Sequence, residues 1–320
     1  MAFHTKALIR IDKFRFEYYN RIEIESSWAK GDRATILLPK AKKMLEDNLK
    51  SGMEVQIWGG YFQENTPLTL LFEGFIKSMS PKIPFEIVCE DRFYQMKRQK
   101  LPNKSWKSTT LKEVLKYVLT GFKVVYGIVP DIVLSPFKID NATVAVALQK
   151  LCDDYLTTSY FRAGIDTLFI GLPYSEEILQ DTPIFHFQKN VPFVGNNLVF
   201  KTKEDIRIKA KVINIKPDNT RQEFETGDAD GEVRTIYLRS KDSSEMALKT
   251  LADREIEKQK FDGYRGSLDV FGTPLVIHSQ AVVIEDDYYP DRAGKYVCDQ
   301  VKTVFSVPTL RQTITLGKAL

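Results

Sequence analysis

Cysteine and histidine are both scarce in this sequence of 320 residues, which contains three of each. An odd and sparse set of cysteines argues against a disulfide framework and for folding in a reducing compartment. A zinc site or a catalytic triad needs such side chains gathered with acidic residues, and no local spacing gathers them here. The residues concerned are Cys89, Cys152, Cys298, His4, His186 and His278. We therefore predict no metal ligands and interpret His186 and His278 as structural.

Long apolar runs are also missing. The longest, from Val124 to Val129, is far shorter than the roughly 20 residues that a membrane-spanning helix needs. The N-terminus carries charges at Lys6, Arg10 and Asp12, where a secretion signal would need an apolar segment. The net charge of +4 is too small to indicate a nucleic-acid or membrane partner.

The familiar catalytic motifs are missing as well, including the glycine-rich nucleotide loops and the G-x-S-x-G nucleophile motif. The adjacent carboxylates Asp153-Asp154 and Asp286-Asp287 point apart, whereas glycoside hydrolysis needs two that face each other across a cleft. The segment Asp228–Gly231 resembles part of a calcium loop, but Thr226 and Tyr237 occupy positions that need acidic residues. We predict no catalytic residue, metal or cofactor.

Two basic segments leave alternatives open. Lys97-Arg98-Gln99-Lys100 has aromatic neighbours and could bind phosphates, although its place at a predicted domain junction favours a linker or a subunit contact. Arg207, Lys209 and Lys211 form one face of a predicted strand, and that face either lines a channel or meets solvent.

Strand patterns, in contrast, are plentiful, and aromatic residues reach 12%. We predict a mainly β protein with α+β content, in which two similar small β-barrel domains (1–92 and 196–320) flank a small α+β insert domain (93–195). In the first barrel, the alternation over Leu8–Tyr18 slips at Asp12-Lys13, which predicts a bulge, and Lys40–Leu49 reads as a short helix or turn.

The helices are predicted from caps and apolar periodicity. Thr110 and Glu113 form a capping box before an apolar stripe, and Asn141 can cap a second helix in the insert. A long helix at about 243–261 interrupts the second barrel, with Asp242 and Glu245 at its start.

The closing segment, Tyr296–Leu316, alternates as a strand, a corner at Pro308 and a second strand. One face of the first strand is predicted to make contacts between subunits, together with two residues of an earlier strand. These candidate interface residues are Val297, Asp299, Val301, Thr303, Phe305, Phe72 and Ile76.

This closing pattern occurs once before. Val55-Gln56-Ile57 precedes Ile76-Lys77-Ser78-Met79, as Val282-Val283-Ile284 precedes Val301-Lys302-Thr303-Val304. One interpretation is that two hairpins look alike by chance; the other is a duplicated barrel. A trimer of a two-barrel subunit would present six similar barrels in a ring, so that a threefold object could seat on a sixfold one.

Several segments resemble the phage baseplate hub proteins of the late-control D family, which are related to the spike proteins of type VI secretion. The segments that carry the resemblance are Leu268–Pro274, Asp291–Tyr296, Val301–Ser306, Phe72–Ile76, Ile87–Asp91 and Ser108–Leu111. The resemblance covers most of the chain, but its motifs are degenerate and transfer no catalytic residue.

The resemblance implies a non-enzymatic homotrimeric ring that adapts a sixfold tail tube to a threefold spike. Its partners would be copies of itself, the tube, a spike or needle protein and baseplate wedge proteins, with DNA or cargo only in transit and no membrane. We expect it in the virion baseplate after assembly in the host cytoplasm. Since the sequence ends at Leu320 after the last strand, we expect no appended needle or hydrolase domain. The alternatives are a cell-wall hydrolase and a host-glycan-binding tail module.

Overall fold

A computed structural model describes residues 4–39, 47–62, 67–175, 182–191 and 197–320. The helix or turn predicted over Lys40–Leu49 lies mostly outside these ranges. Within them no helix is long and apolar enough to cross a membrane.

The N-terminal part is a β structure that we call the first strand set. Its strands are β1 (His4–Ile11), β2 (Phe14–Phe16), β3 (Arg21–Ser27), β4 (Lys30–Leu38), β5 (Glu54–Phe62), β6 (Thr69–Ser80) and β7 (Phe85–Glu90). The bulge predicted at Asp12-Lys13 is wrong. β1 and β2 instead form a hairpin around these two residues, with Ile11 opposite Phe14 and a left-handed backbone at Asp12 (φ 51°). A bulge and a tight turn both shift the apolar phase by one residue, so the pattern alone did not separate them.

The insert follows with short helices and small sheets. Its elements are α1 (Phe93–Met96), β8 (Lys104–Trp106), β9 (Thr109–Thr110), α2 (Leu111–Val118), β10 (Val124–Tyr126), β11 (Ile132–Leu134), β12 (Phe137–Ile139), α3 (Val144–Tyr155), β13 (Thr158–Arg162) and β14 (Ile165–Gly171). The predicted capping box at Thr110 and Glu113 is confirmed. The cap predicted at Asn141 is wrong, because Thr143 accepts the hydrogen bond from Val146 N at 3.4 Å.

The last third returns to strands around one long helix. Its elements are β15 (Ile184–His186), β16 (Asn197–Lys201), β17 (Ile208–Ile215), β18 (Arg221–Gly227), β19 (Glu232–Arg239), β20 (Asp242–Ser243), α4 (Glu245–Gln259), β21 (Gly263–Val270), β22 (Ala281–Glu285), a 3-10 turn (Pro290–Arg292), β23 (Gly294–Ser306) and β24 (Thr309–Ala319). The long helix is confirmed, but Ser244 caps it rather than Asp242, accepting from Ala247 N at 3.1 Å.

The hydrophobic cores group these elements in a way that crosses one predicted boundary. One core contains α2, α3 and the insert strands together with Ala210, Ile236 and Leu251 from β17, β19 and α4. The strands β17–β19 and α4 thus pack on the insert, whereas β21–β24 surround a separate core. The division of the chain at residues 92 and 195 stays a prediction, since distant segments share these cores.

The strand order repeats. In the first set the order is β5-β6-β7-β4-β3, and in what we call the second strand set it is β22-β23-β24-β21-β16, with every neighbouring pair antiparallel. The chain visits corresponding strands in the same sequence in both sets. One row of paired residues across four strands is Ile24, Ala34, Cys89 and Ile76 in the first set, and Leu198, Gly266, Leu316 and Cys298 in the second.

The two sets also share an irregularity next to this row. The register between β6 and β7 shifts at Lys77, and the register between β23 and β24 shifts at Asp299. Each of these residues directly follows the row residue of its strand. Ile76 and Cys298 each exchange two backbone hydrogen bonds with the segment that leads into β5 or β22. A bulge repeated at the same place indicates that the likeness is architectural and not a chance similarity of hairpins.

The observed correspondence refines the repeat predicted from the sequence. Val55-Gln56-Ile57 corresponds to Val282-Val283-Ile284, as predicted. Ile76, however, corresponds to Cys298 and not to Val301, so the second half of the predicted alignment is off by three residues. The mainly β fold with two similar strand sets and an α+β insert is confirmed.

Candidate functional site

The two strand sets are joined edge to edge within one chain. Residues Gln300–Ser306 of β23 pair antiparallel with Arg21–Ser27 of β3, from Gln300 opposite Ser27 to Ser306 opposite Arg21. We call this pairing the internal seam. The other edge of this stretch of β23 pairs with β24. One continuous sheet therefore extends from the first strand set into the second.

Charged side chains bridge the internal seam. Lys302 Nζ lies 2.6 Å from Glu23 Oε1 and 3.5 Å from Glu25 Oε1. The hydrogen bond to Glu23 raises the pKa of Lys302. Burial alone would raise the pKa of Glu23, but hydrogen bonds from Lys302 and Arg21 outweigh burial and lower it. The pair is therefore ionised at neutral pH and favours this register.

Most of the predicted interface residues lie inside the chain's own cores. Phe72, Ile76 and Phe305 are buried in the core of the first strand set, and Val301 is buried in the core of the second. Val297 and Thr303 are also buried, and Thr303 Oγ1 accepts from Gln312 Nε2 at 2.9 Å. These side chains are covered in a single chain, and β23 is paired with other strands along both edges. Any contact of these strands with a second copy would therefore use the open edge of β6 or the opposite faces of the strands.

Asp299 differs from the other six because it is the bulge residue of β23. Its two carboxylate oxygens accept from the Tyr174 hydroxyl at 3.0 and 3.1 Å. Burial raises its pKa to about 6, although hydrogen bonding to Tyr174 opposes this shift. The predicted common face of Val297, Asp299 and Val301 is wrong because the bulge reverses the alternation, and Cys298 joins Val301 in the core.

The raised pKa of Asp299 predicts a pH dependence. The folded chain binds a proton at Asp299 more readily than the unfolded chain, so its contribution to stability is fully present below pH 4 and is lost as pH rises to about 6. We expect the free energy of unfolding of the natural chain to fall by about 2 to 3 kcal/mol relative to Asp299→Asn between pH 4 and pH 7. Urea unfolding at both pH values measures this difference.

The Asn variant keeps an acceptor for Tyr174 and removes only the titration. Comparing two proteins also cancels the opposite contribution of His278, whose pKa burial lowers to about 3. Parallel pH profiles for the two proteins would contradict the assignment.

A second buried polar cluster lies where both strand sets meet the insert. Asp32 and Asp91 are buried, and burial raises the pKa of both, to about 7 for Asp91. Asp91 accepts from the backbone N–H groups of Asp32 and Phe93 at 2.8 and 2.9 Å, and His278 Nε2 lies 3.1 Å from Phe161 O. These carboxylates cap backbone groups at a junction, which is a structural task.

Several side chains of the basic segments form ion pairs with acidic neighbours. Lys97 Nζ lies 2.8 Å from Glu90 Oε2, and Lys211 Nζ lies 2.7 Å from Glu223 and 2.9 Å from Glu225. Lys209 and Lys211 thus form an ion-pair ladder with Glu225 and Glu223 of β18, and whether this face lines a channel or meets solvent stays a prediction. In the turn Asp228–Gly231, Asp228 pairs with Lys260 and Asp230 with Arg207.

Two of the open strand edges among the described residues belong to strands that correspond to the two strands of the internal seam. β16 pairs with β21 alone, and Val199 on it is 55% exposed. β6 pairs with β5 only as far as Phe75, so the side of Ser78–Ser80 that faces away from β7 has no strand partner in the described part of the chain. Sequence analysis missed both edges, because an edge strand and an interior strand share one alternation.

The chain resembles known proteins in its fold. No protein-family model and no curated protein matches the chain. A tail protein from Neisseria meningitidis is similar in structure with a TM-score of 0.68 and 13% identity, over 98% of this chain and 97% of that one. A prophage MuSo2 tail protein from Shewanella oneidensis gives a TM-score of 0.62 and 11% identity, over 97% and 96%.

A third similar structure comes from a bacterial secretion system. It is a component of the type VI secretion system of Escherichia coli, described as structurally similar to the T4 bacteriophage tail proteins gp27 and gp5. The TM-score is 0.60 at 11% identity, over 97% of this chain and 76% of that one. The resemblance predicted from the sequence is thus confirmed at the level of the fold, which this chain shares with phage tail proteins.

Proposed function

We propose that the chain is a structural component of a phage tail or phage-like injection system and works as a homotrimeric hub. The observation that carries this proposal is the internal seam, which joins two strand sets of identical strand order edge to edge in one chain. The fold shared with tail proteins over nearly the full chain supports the same setting.

The mechanism is geometric. If copies of the chain join through seams like the internal one, the two strand sets alternate around a ring. Three chains then supply six similar sets, which gives a molecule with threefold symmetry a nearly sixfold face. One face can seat on a sixfold tail tube and the other on a threefold spike, with DNA or cargo passing through the centre.

The proposed setting is the tail baseplate of the virion after assembly in the bacterial host cytoplasm, with tube, spike and wedge proteins as neighbours. The role is non-enzymatic. β6 and β23, which carry the seven predicted interface residues, remain the proposed seam-forming strands. They act through their backbone edges, because the side chains of Phe72, Ile76, Val301 and Phe305 are already buried.

Molecular mass tests the proposal directly. We expect light scattering over a concentration series to reach three times the 36.8 kDa of one chain. Electron-microscopy class averages of that species should show a ring of six similar lobes. A mass that stays at one chain at the highest soluble concentration, with no ring on the grids, would refute the homotrimer.

A further inference from the structure

We infer that the end of β6 in one copy of the chain pairs antiparallel with β16 of the next copy, in the register of the internal seam. This inference rests on the proposed homotrimer and names the strands and residues that would hold it together. The internal seam pairs a strand of the second set with a strand of the first. The inference assumes that the corresponding strands, one from each set, pair in the same way between two copies.

The correspondence between the sets fixes which strands these are. β23 of the second set corresponds to β6 of the first, because Cys298 and Ile76 occupy the same position in the shared row and each is followed by a bulge residue. β3 of the first set corresponds to β16 of the second, because Ile24 and Leu198 lie at the same place in the shared row. The counterpart of the β23–β3 seam is therefore a β6–β16 seam.

These two strands are open at the required sides. The pairing of β23 with β22 ends at Val297, and from Gln300 onward β3 pairs with the same edge of β23. β5 likewise leaves β6 after Phe75, but among the described residues no strand takes its place beside Ser78–Ser80. An open strand edge presents unpaired backbone groups and is a template for another chain.

The register follows residue by residue. In the internal seam Gln300 faces Ser27, Val301 faces Ser26 and Lys302 faces Glu25. The corresponding residues place Ser78 opposite Lys201, Met79 opposite Phe200 and Ser80 opposite Val199. These three contacts between copies bring no like charges together.

The side chains suit this arrangement. Val199 is 55% exposed in the single chain, although it lies on a strand of β-branched and aromatic character. Lys302, which bridges Glu23 and Glu25 in the internal seam, corresponds to the uncharged Ser80, and its partners correspond to Asn197 and Val199. The seam between copies is thus held by backbone pairing and apolar contact, without the ion pairs of the internal seam.

Disulfide trapping tests the register. Residues directly opposite in an antiparallel pair have Cα atoms about 4.5 to 5.5 Å apart, within the range that a disulfide spans. We expect Ser80→Cys/Val199→Cys to form covalent dimers and trimers on non-reducing gels after mild oxidation. The natural chain, whose cysteines Cys89, Cys152 and Cys298 are buried, is the control for background cross-linking.

The matched control is Ser80→Cys/Lys201→Cys, which displaces the pair by two residues and should cross-link at least tenfold more slowly. Light scattering of the unoxidised proteins separates this inference from the proposed function. A trimer by mass that never cross-links through Ser80 and Val199, or that cross-links equally through the displaced pair, overturns the inference and leaves the homotrimer standing. A protein that is only monomeric and gives no cross-link overturns both.

Discussion

Replacing Phe305 with alanine is expected to lower the free energy of unfolding by about 3 to 5 kcal/mol, the usual cost of truncating a fully buried aromatic side chain. Phe305 is 0% exposed and belongs to β23 of the second strand set, yet its side chain lies in the core of the first. Its ring packs edge-on to Tyr19 and fills the space above Gly59 of β5. The side chain therefore fastens one set to the other.

Urea unfolding of Phe305→Ala and of Val307→Ala measures this effect. Val307 lies two residues away and is 70% exposed, so its truncation should change the free energy of unfolding by less than about 0.5 kcal/mol. Equal losses for the two variants would show that Phe305 is not the fastening side chain.

A double-mutant cycle with Gly59 sharpens this result. A Cβ atom at Gly59 would lie 2.2 Å from Phe305 Cζ, so Gly59→Ala should destabilise the natural chain through this clash. In the Phe305→Ala background the clashing ring is gone, and the added methyl group should cost far less. Additive effects would contradict direct packing between the two positions.

How far the sequence predicts this architecture depends on how local each signal is. The hairpin of β23 and β24 was predictable, because its two alternating strands are adjacent in the chain and turn at Pro308. The correspondence of Val55–Ile57 with Val282–Ile284 was also readable from short apolar strands. The bulges at Lys77 and Asp299 were not predictable from the sequence, since these two residues share neither charge nor size. The predicted alignment of the two strands is therefore off by three residues beyond this point.

The internal seam was beyond the reach of pattern analysis. Val301 and its partner Ser26 are 275 residues apart, and nothing in either strand specifies which edge it meets. The same limit applies to the helix predicted at about 243–261 within the second barrel, because Leu251 of α4 packs in the core of the insert. Apolar periodicity predicts that a face is buried, but not which partner buries it.

The seven candidate interface residues illustrate this limit. Alternation correctly marked Val301, Thr303 and Phe305 as one side of a strand, and burial was taken for a contact between copies. In the structure the buried side of β23 serves the chain's own cores, with Phe305 reaching across the internal seam into the core of the first set, and the seam itself is held by backbone pairing and the Lys302 ion pairs. If copies of the chain join as proposed, we expect their contact to run mainly through paired backbone edges, because the apolar faces of these strands are already covered.

Replacing Gly266 with alanine is expected to displace β16 and to abolish the proposed trimer. The Gly266 backbone is left-handed (φ +112°), and an added Cβ would lie 1.9 Å from Asn197 O in β16. Neither atom can rotate away, because the carbonyl is a backbone group and the backbone fixes the position of Cβ. The left-handed conformation costs about 1 to 2 kcal/mol more with a side chain present. β16 has no other strand partner among the described residues, so it should leave the sheet.

Hydrogen exchange and light scattering together measure this outcome. In Gly266→Ala we expect the amides of Asn197–Lys201 to lose protection and the mass to fall from three chains to one, while the amides of β3 and β4 stay protected. Ser267→Ala, one residue along the same strand, is the matched control and should leave both readouts unchanged. If β16 loses protection but the trimer persists, β16 is not the joining edge. The hub would then have to be held by another surface, and the alternation of strand sets would need a different seam.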